Sequence, residues 1–291
     1  MTNRIHPTAV IHPSATLAEG VEVGPYAVIG DRVTIGARTK IGAHVVIDGA
    51  VSLGADNHIF PGVMIGLEPQ DVSYDGALSR VVIGDRNRIR EYVTIHRPTQ
   101  AEGLTQIGND NFLMAYAHVA HNCQIANQVT LANAVELGGY VQVESKAVIG
   151  GMTGVHQWVR IGQCAMIGGM SRINRDVPPY LLIEGNPASV RGLNRVGLRR
   201  SGITDESAVF QDLKRAYRLL YGPSGLTFAQ ALEKLSLQAT EIRSDSIPVD
   251  MTKSTPEGIS QNALETPLAN LIQFLQTAQQ PGRRGAISSR R

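Results

Sequence analysis

A parallel β-solenoid followed by a helical region is the fold class this sequence predicts, and three patterns predict it. From Ile5 onward every sixth residue is Ile, Leu or Val: Ile5, Ile11, Leu17, Val23, Ile29, Ile35, Ile41, Ile47, Leu53, Ile59 and Ile65, then Ile83, Ile89 and Ile95, then Ile107 without a break to Ile173. A period of six fits neither a helix nor a plain strand; it marks a short strand and a turn that recur as one unit. Aromatic residues make up only 5 % of the chain, as expected of a core too narrow for large rings. Beyond Ile173 the apolar spacing becomes helical, so the architecture changes there.

The stretch Ile149-Gly150-Gly151-Met152-Thr153-Gly154 shows how one unit works. The aliphatic first residue points inward, and a small or β-branched fifth residue points inward beside it. Glycine or another small residue in second place is expected to serve a backbone that bends sharply at each corner. Three units close a triangular coil, and each coil pairs with the next as a parallel strand about 4.8 Å further along the axis. The 26 units make between eight and nine coils, a prism roughly 40 Å long. Residues 18 apart become vertical neighbours wherever no insertion intervenes. Handedness does not follow from spacing.

The beat is broken twice, by extra residues near 71–82 and near 101–106. Both excesses are multiples of six, so the phase survives and the extra chain is extruded as loops. The solenoid is expected over residues 1–189, with Asp176-Val177-Pro178-Pro179-Tyr180 supplying turn chemistry at its close. A helical domain is expected over 190–241. There Val209, Leu213, Ala216 and Leu220 fall at helical spacing behind Asp205 as N-cap. Thr227 and Gln230 form a capping box ahead of Ala231, Leu232 and Leu235. The remainder, 242–291, is expected to hold a linker, a helix over about Leu268–Ala278 and a disordered basic tail from Pro281.

Composition narrows the setting. A net charge of +2, with no Lys/Arg-rich run in the repeats, gives no footprint for nucleic acid. Two cysteines, Cys123 and Cys164, are too few for a disulfide framework. The repeats begin almost at once with no apolar leader, and no apolar run approaches a membrane span. A cytoplasmic protein is the expectation.

Of eight histidines, His6, His12, His44, His58 and His96 are scattered and read as surface or structural residues. His118, His121 and His156 differ. Counting by coil, His121 lies directly below Gly139, which lies below Gln157, while His156 stacks over Gly138. An imidazole one strand spacing from an unobstructed Gly-Gly turn supplies two parts of an acyl-transfer site, a base and an oxyanion donor. Asn122 could accept from the ring Nδ1–H and hold the tautomer. A zinc held between subunits by His118, His121 and His156 is the alternative use of the same residues, and a non-catalytic scaffold is a third.

The hexad run resembles one family closely once further motifs are added. These are Ile83-Gly-Asp-Arg-Asn-Arg-Ile-Arg-Glu91, Thr94-Ile-His-Arg97, His118-Val-Ala-His-Asn-Cys123, Gly150-Gly-Met-Thr-Gly-Val-His-Gln157, Asp176-Val-Pro-Pro-Tyr180 and Gly192-Leu-Asn-Arg-Val-Gly-Leu-Arg-Arg200. The family is that of the acyl-carrier-protein–UDP-N-acetylglucosamine O-acyltransferases of lipid A biosynthesis, and the resemblance extends to about Ala239. It implies a left-handed parallel β-helix, a homotrimer, and clefts between subunits in which a 3-hydroxyacyl chain passes from acyl carrier protein to the 3-hydroxyl of UDP-N-acetylglucosamine. It implies His121 as general base, the Gly139 N–H as oxyanion donor, and no cofactor or metal. Gln70 and Asp71 match sugar-nucleotide contacts, His118, His156 and Gln157 match sugar or acyl contacts, and Asn194 and Arg200 match the nucleotide end. Gly169 matches the position that sets acyl length, and with no side chain there a long chain is expected.

Several positions depart from the family pattern. Asn122 stands where familiar members carry Asp, and Ser73, Tyr140 and Ser201 replace a lysine, a histidine and an arginine. The acceptor therefore stays open between a 3-hydroxyl and a 3-amino sugar. Arg191, Arg195, Arg199 and Arg200 lie close together with no acid among them, which suggests a dock for the acidic carrier protein and the nucleotide phosphates. The sister N-acyltransferase of the pathway and a zinc-dependent, carbonic-anhydrase-like trimer are the competing readings.

Overall fold

A computed structural model describes residues 2–244 and 266–288. Each of the 26 expected aliphatic positions sits in its own short strand, from Arg4–Ile5 to Arg172–Ile173. These strands stack in parallel in three sheets of 11, nine and eight strands, the longest completed by Leu181–Glu184 and, antiparallel to it, Ser189–Leu193. The register is 18 residues where no loop intervenes, as in Glu136↔Gly154, and rises to 30 and 24 across the insertions, as in His58↔Arg88 and Thr94↔His118.

The core is a column of first and fifth residues of the hexads. The first residues Ile29, Ile35, Ile47, Ile59 and Ile65 are at most 1 % exposed, and so are the fifth-place residues Val21, Ala27, Val33, Val45 and Val63. Burying a side chain of this size contributes about 1.5–3 kcal/mol, repeated at every level of the prism. Three fifth places carry Asn instead. Asn57 Oδ1 accepts from the Asn87 amide at 2.9 Å, Asn87 Oδ1 from Asn111, and Asn111 Oδ1 from Val129. The ladder gives each of the three buried Oδ1 atoms a backbone donor, while Asn111 Nδ2 is left without a partner among the described residues.

The corners differ from expectation. Chain reversal falls on the fourth residue of a hexad, which is in the left-handed region though seldom Gly: Tyr26 (φ 58°), His44 (φ 56°), Asn122 (φ 61°) and Tyr140 (φ 61°). That conformation costs roughly 1–2 kcal/mol per residue. It is offset by binding each corner amide to the coil below, as Tyr140 N does to His121 O at 3.0 Å. The second-place glycines answer to crowding rather than to bending. A Cβ on Gly24 would stand 2.9 Å from the backbone of Gly42 and Ala43 in the next coil.

The loops occupy 68–79 and 97–103, a few residues earlier than the sequence suggests. Arg80–Ile83 and Leu104–Ile107 form four-residue strands, so the chain rejoins the ladder before the aliphatic residue is reached. Among the described residues, four helices follow the solenoid: α1 (Arg195–Arg200), α2 (Ala208–Tyr221), α3 (Phe228–Ser244) and α4 (Pro267–Ala278). Ser207, not Asp205, caps α2, because its side chain accepts from Phe210 N while Asp205 pairs with Arg195. The Thr227–Gln230 box opens α3 as expected. Leu213, Leu220, Leu232, Leu271 and Leu275 pack with Cys164 and Tyr180 of the solenoid, so the helices cap its end within one chain.

The expected linker lies almost wholly outside the described residues. The expected tail does not hold as such. Arg283 forms a two-pronged pair with buried Asp176, Ile287 N bonds Asp176 O at 2.9 Å, and Ile287 is 3 % exposed. Residues 281–288 are a strap along the last coil; 289–291 lie outside the described residues.

Candidate active site

The upper coils of the nine-stranded sheet carry a cleft of about 450 Å³. Its floor is the outward column His118, Glu136, Gly154 and Arg172, and its wall is the corner line of Ala120–His121, Gly138–Gly139 and His156–Gln157. Gln70, at the root of the first loop, closes one side. The coil winding thus gathers Gln70, His118, His121, Gly139, His156 and Gln157 into one cavity. Gly169 occupies the next edge of the prism, between Met166–Ile167 and Arg172–Ile173, and does not line it.

His121 is 4 % exposed and lies against Gly139 so closely that an added methyl would overlap its ring. Glycine is therefore required there for the approach of a side chain, not for a special φ. Among the described residues the Gly139 N–H donates no hydrogen bond, and its carbonyl accepts from Trp158 N at 3.0 Å. The result is an imidazole beside a free amide, both facing the cleft.

The imidazole is held from both sides. Nδ1 meets Asn122 Oδ1 at 3.0 Å, and the Thr99 amide donates to the same oxygen at 3.4 Å. An atom that receives a backbone N–H is the amide oxygen, so Nδ1 carries the proton and Nε2 keeps its lone pair. Asp71 Oδ2 lies 3.5 Å from Nε2. The Ser73 hydroxyl and amide, at 2.7 and 2.9 Å, hold the Asp71 carboxyl below the usual carboxylate range. The His121 and Tyr140 rings meet edge to face with centroids 5.3 Å apart, and Tyr140 stacks on Trp158 at 3.7 Å.

His118 accepts or donates through Nδ1 to Thr94 Oγ1 at 2.7 Å and meets the buried His96 ring edge-on at 4.9 Å. Burial pushes the His118 imidazole down to about 4, and burial likewise lowers His96, so both are neutral near pH 7. His156 is exposed, with Nδ1 at 3.0 Å from Gln157 O. Among the described residues no three His, Cys, Asp or Glu side chains converge as metal ligands.

Some of this was invisible in the sequence. His96, set aside as scattered, packs on His118 because the second loop changes the register from 18 to 24. Arg97 pins the first loop, bonding Tyr74 Oη at 3.0 Å, Gly66 O at 3.1 Å and Glu68 at 3.2 Å. The segment Thr94-Ile-His-Arg97 was the available signal, although spacing alone does not show what it touches.

Asn194 and Arg200 stand apart from this chain's own cleft. Asn194 is 6 % exposed; its Oδ1 caps α1 by accepting from Gly197 N, and its Nδ2 donates to Cys164 O at 2.8 Å. Arg200 is exposed at the end of α1. The four arginines are less free than their sequence suggests: Arg195 is paired with Asp205, and Arg191 lies 3.5 Å from Glu184.

A hexapeptide-repeat transferase is what this prism and cleft define. The model of the bacterial transferase hexapeptide matches residues 14–49 and 104–139, and that of the UDP-N-acetylglucosamine O-acyltransferase second domain matches 176–287. The acyl-[acyl-carrier-protein]–UDP-N-acetylglucosamine O-acyltransferases of Gloeothece citriformis and Rippkaea orientalis are 57 % and 60 % identical to it, each over 81 % of this chain and 84 % of theirs. Among solved structures, the UDP-N-acetylglucosamine acyltransferase of Francisella novicida superposes with a TM-score of 0.84 at 35 % identity, covering 98 % of this chain and 94 % of that one. The Arabidopsis enzyme gives 0.78 at 32 % identity, covering 98 % and 100 %. The chain belongs to the family of acyl-carrier-protein–UDP-N-acetylglucosamine O-acyltransferases, and its solenoid is the left-handed β-helix of that family. The second-domain match reaches residue 287, so the closing strap belongs to the family domain, beyond the limit near Ala239 that the sequence resemblance set.

Proposed function

We infer that this enzyme transfers a 3-hydroxyacyl chain from acyl carrier protein to the 3-hydroxyl of UDP-N-acetylglucosamine, the first step of lipid A synthesis. The observation that carries the mechanism is the buried His121 imidazole, with Nε2 open to the cleft, against the unbonded Gly139 amide. His121 Nε2 takes the proton of the sugar hydroxyl, whose oxygen forms a bond to the thioester carbonyl carbon. Negative charge on the carbonyl oxygen is met by the Gly139 N–H, a preorganised donor in a partly dry site. The carbon–sulfur bond then breaks, and the departing thiolate takes the proton from Nε2. The balance closes with no redox step.

Asn122 orients the base. Gln70, Asp71, His118, His156 and Gln157 are assigned to the sugar and the acyl chain. Asn194 and Arg200 are assigned to the nucleotide end of a neighbouring copy's cleft, which makes the working unit a homotrimer. Asn194 serves that role through a rigid helix cap, and exposed Arg199 and Arg200 form the less encumbered part of the carrier-protein dock. Mass spectrometry of UDP-N-acetylglucosamine incubated with 3-hydroxyacyl carrier protein tests the reading. The wild type should add one hydroxyacyl mass, and His121→Ala should lower the rate by about 10²–10⁴-fold. A wild type that transfers nothing, or a His121→Ala variant of equal rate, overturns it.

A further inference from the structure

The two sides of the base are chemically unequal. Asn122 fixes the tautomer at Nδ1 and brings no charge. Proton transfer from the sugar makes His121 a cation at a position only 4 % exposed, where an uncompensated charge is costly. His118 and His96 beside it are neutral and supply no negative charge. Glu136 lies across the cleft, its carboxyl raised by partial burial, and is not paired with the ring. Asp71 is different: its Oδ1 is occupied by Ser73, leaving Oδ2 turned toward Nε2 at 3.5 Å. That separation is long for a hydrogen bond in the resting site but short for a charge pair.

We propose that Asp71 is the counter-charge of the base. It stabilises the His121 imidazolium from the Nε2 side, the task a carboxylate directly after the base would perform from the Nδ1 side. In this chain the carboxylate that faces the ring comes from the extruded loop, while the corner residue Asn122 carries no charge. The loop therefore belongs to the reaction machinery, and Arg97, which ties its Tyr74 and Glu68 to the solenoid, is a positioning residue for it. Asp71 keeps its charge throughout and takes no proton; the sugar proton passes to Nε2 and leaves on sulfur.

This proposal rests on His121 as base, and the test separates the two. Steady-state kinetics at saturating carrier-protein donor would compare wild type, Asp71→Asn and the double variant Asp71→Asn/Asn122→Asp, with melting temperatures confirming that each is folded. The Asp71→Asn change should lower kcat by about 10- to 100-fold, the scale of one charge-assisted contact. Restoring a carboxylate at 122 should recover most of that loss, while the KM for the sugar nucleotide stays near that of Asp71→Asn. A change in KM alone would make Asp71 a sugar contact only and overturn the proposal. A kcat loss that Asn122→Asp does not recover also overturns it. Should Asp71→Asn fail to fold, Asp71→Glu carries the test: kcat falling as far as with removal of His121 would sink the idea, because the charge is still present. An inactive wild type would instead overturn the function itself.

Discussion

The nine-stranded sheet runs the length of the solenoid, and its two halves are built alike but dressed differently. In the lower coils the outward column reads Val10, Val28, Val46 and Met64, with Val10 63 % exposed; in the upper coils the same column reads Thr94, His118, Glu136, Gly154 and Arg172. Strand pairing and inward residues are the same in both. Neither the hydrogen-bonded ladder nor the core distinguishes a catalytic coil from a structural one. The distinction lies in the outward column, in the corner beside it, and in the loops that enter between the halves. Asp31 and His121 occupy equivalent corners, two residues after Ile29 and Val119.

That equivalence can be broken most sharply at Gly139. Gly139→Ala pushes a methyl into the His121 ring and should lower kcat/KM by about 10²–10³-fold, the scale of a lost oxyanion donor. Asp31→Ala, at the matching lower corner, should leave turnover and melting temperature unchanged. Equal effects at both corners would erase the division between the halves.

Titration sharpens the contrast next, because the lower column has nothing to titrate at Val28 whereas the upper one has His118. The folded value of His118, about 4, lies below the unfolded 6.5, so the unfolded chain binds the proton first as pH falls. Stability should decline between pH 6.5 and about 4, by up to about 3 kcal/mol, and level off below. Urea unfolding across that window would show the slope, and His118→Gln should flatten it. A smaller effect concerns the edge on the other side of the same face. With Gly169 there, fourteen-carbon donors should be favoured over ten-carbon ones by about tenfold, an apolar-pocket preference. A preference for the ten-carbon donor in a competition assay would refute it.

Much of the scaffold could be read directly, because a six-residue period fixes which residues point inward before any fold is known. The 18-residue stacking also set His121 under Gly139, and the ring lies there. The period says nothing about a chain that leaves the coil. The approach of Asp71 to Nε2, the Arg97 anchor and the His96–His118 contact all depend on loops whose paths the spacing cannot trace. Charge counting failed for a related reason: Arg195 finds Asp205 only after the chain turns into α2. The strap was missed because Arg283 meets Asp176 across 107 residues, and a basic, Gly-rich segment has no local sign of such a partner.

That strap has a practical side. Arg283 also reaches the carbonyl of Trp158, the indole stacked on the aromatic ring that flanks the base. A reporter or purification handle fused close behind Ser288 would start on the closing strands of the solenoid, where the Ser288 carbonyl accepts from Val190 N at 3.2 Å. The same handle fused ahead of Arg4 would sit most of a prism length from the catalytic coils, on the order of 40 Å by strand spacing.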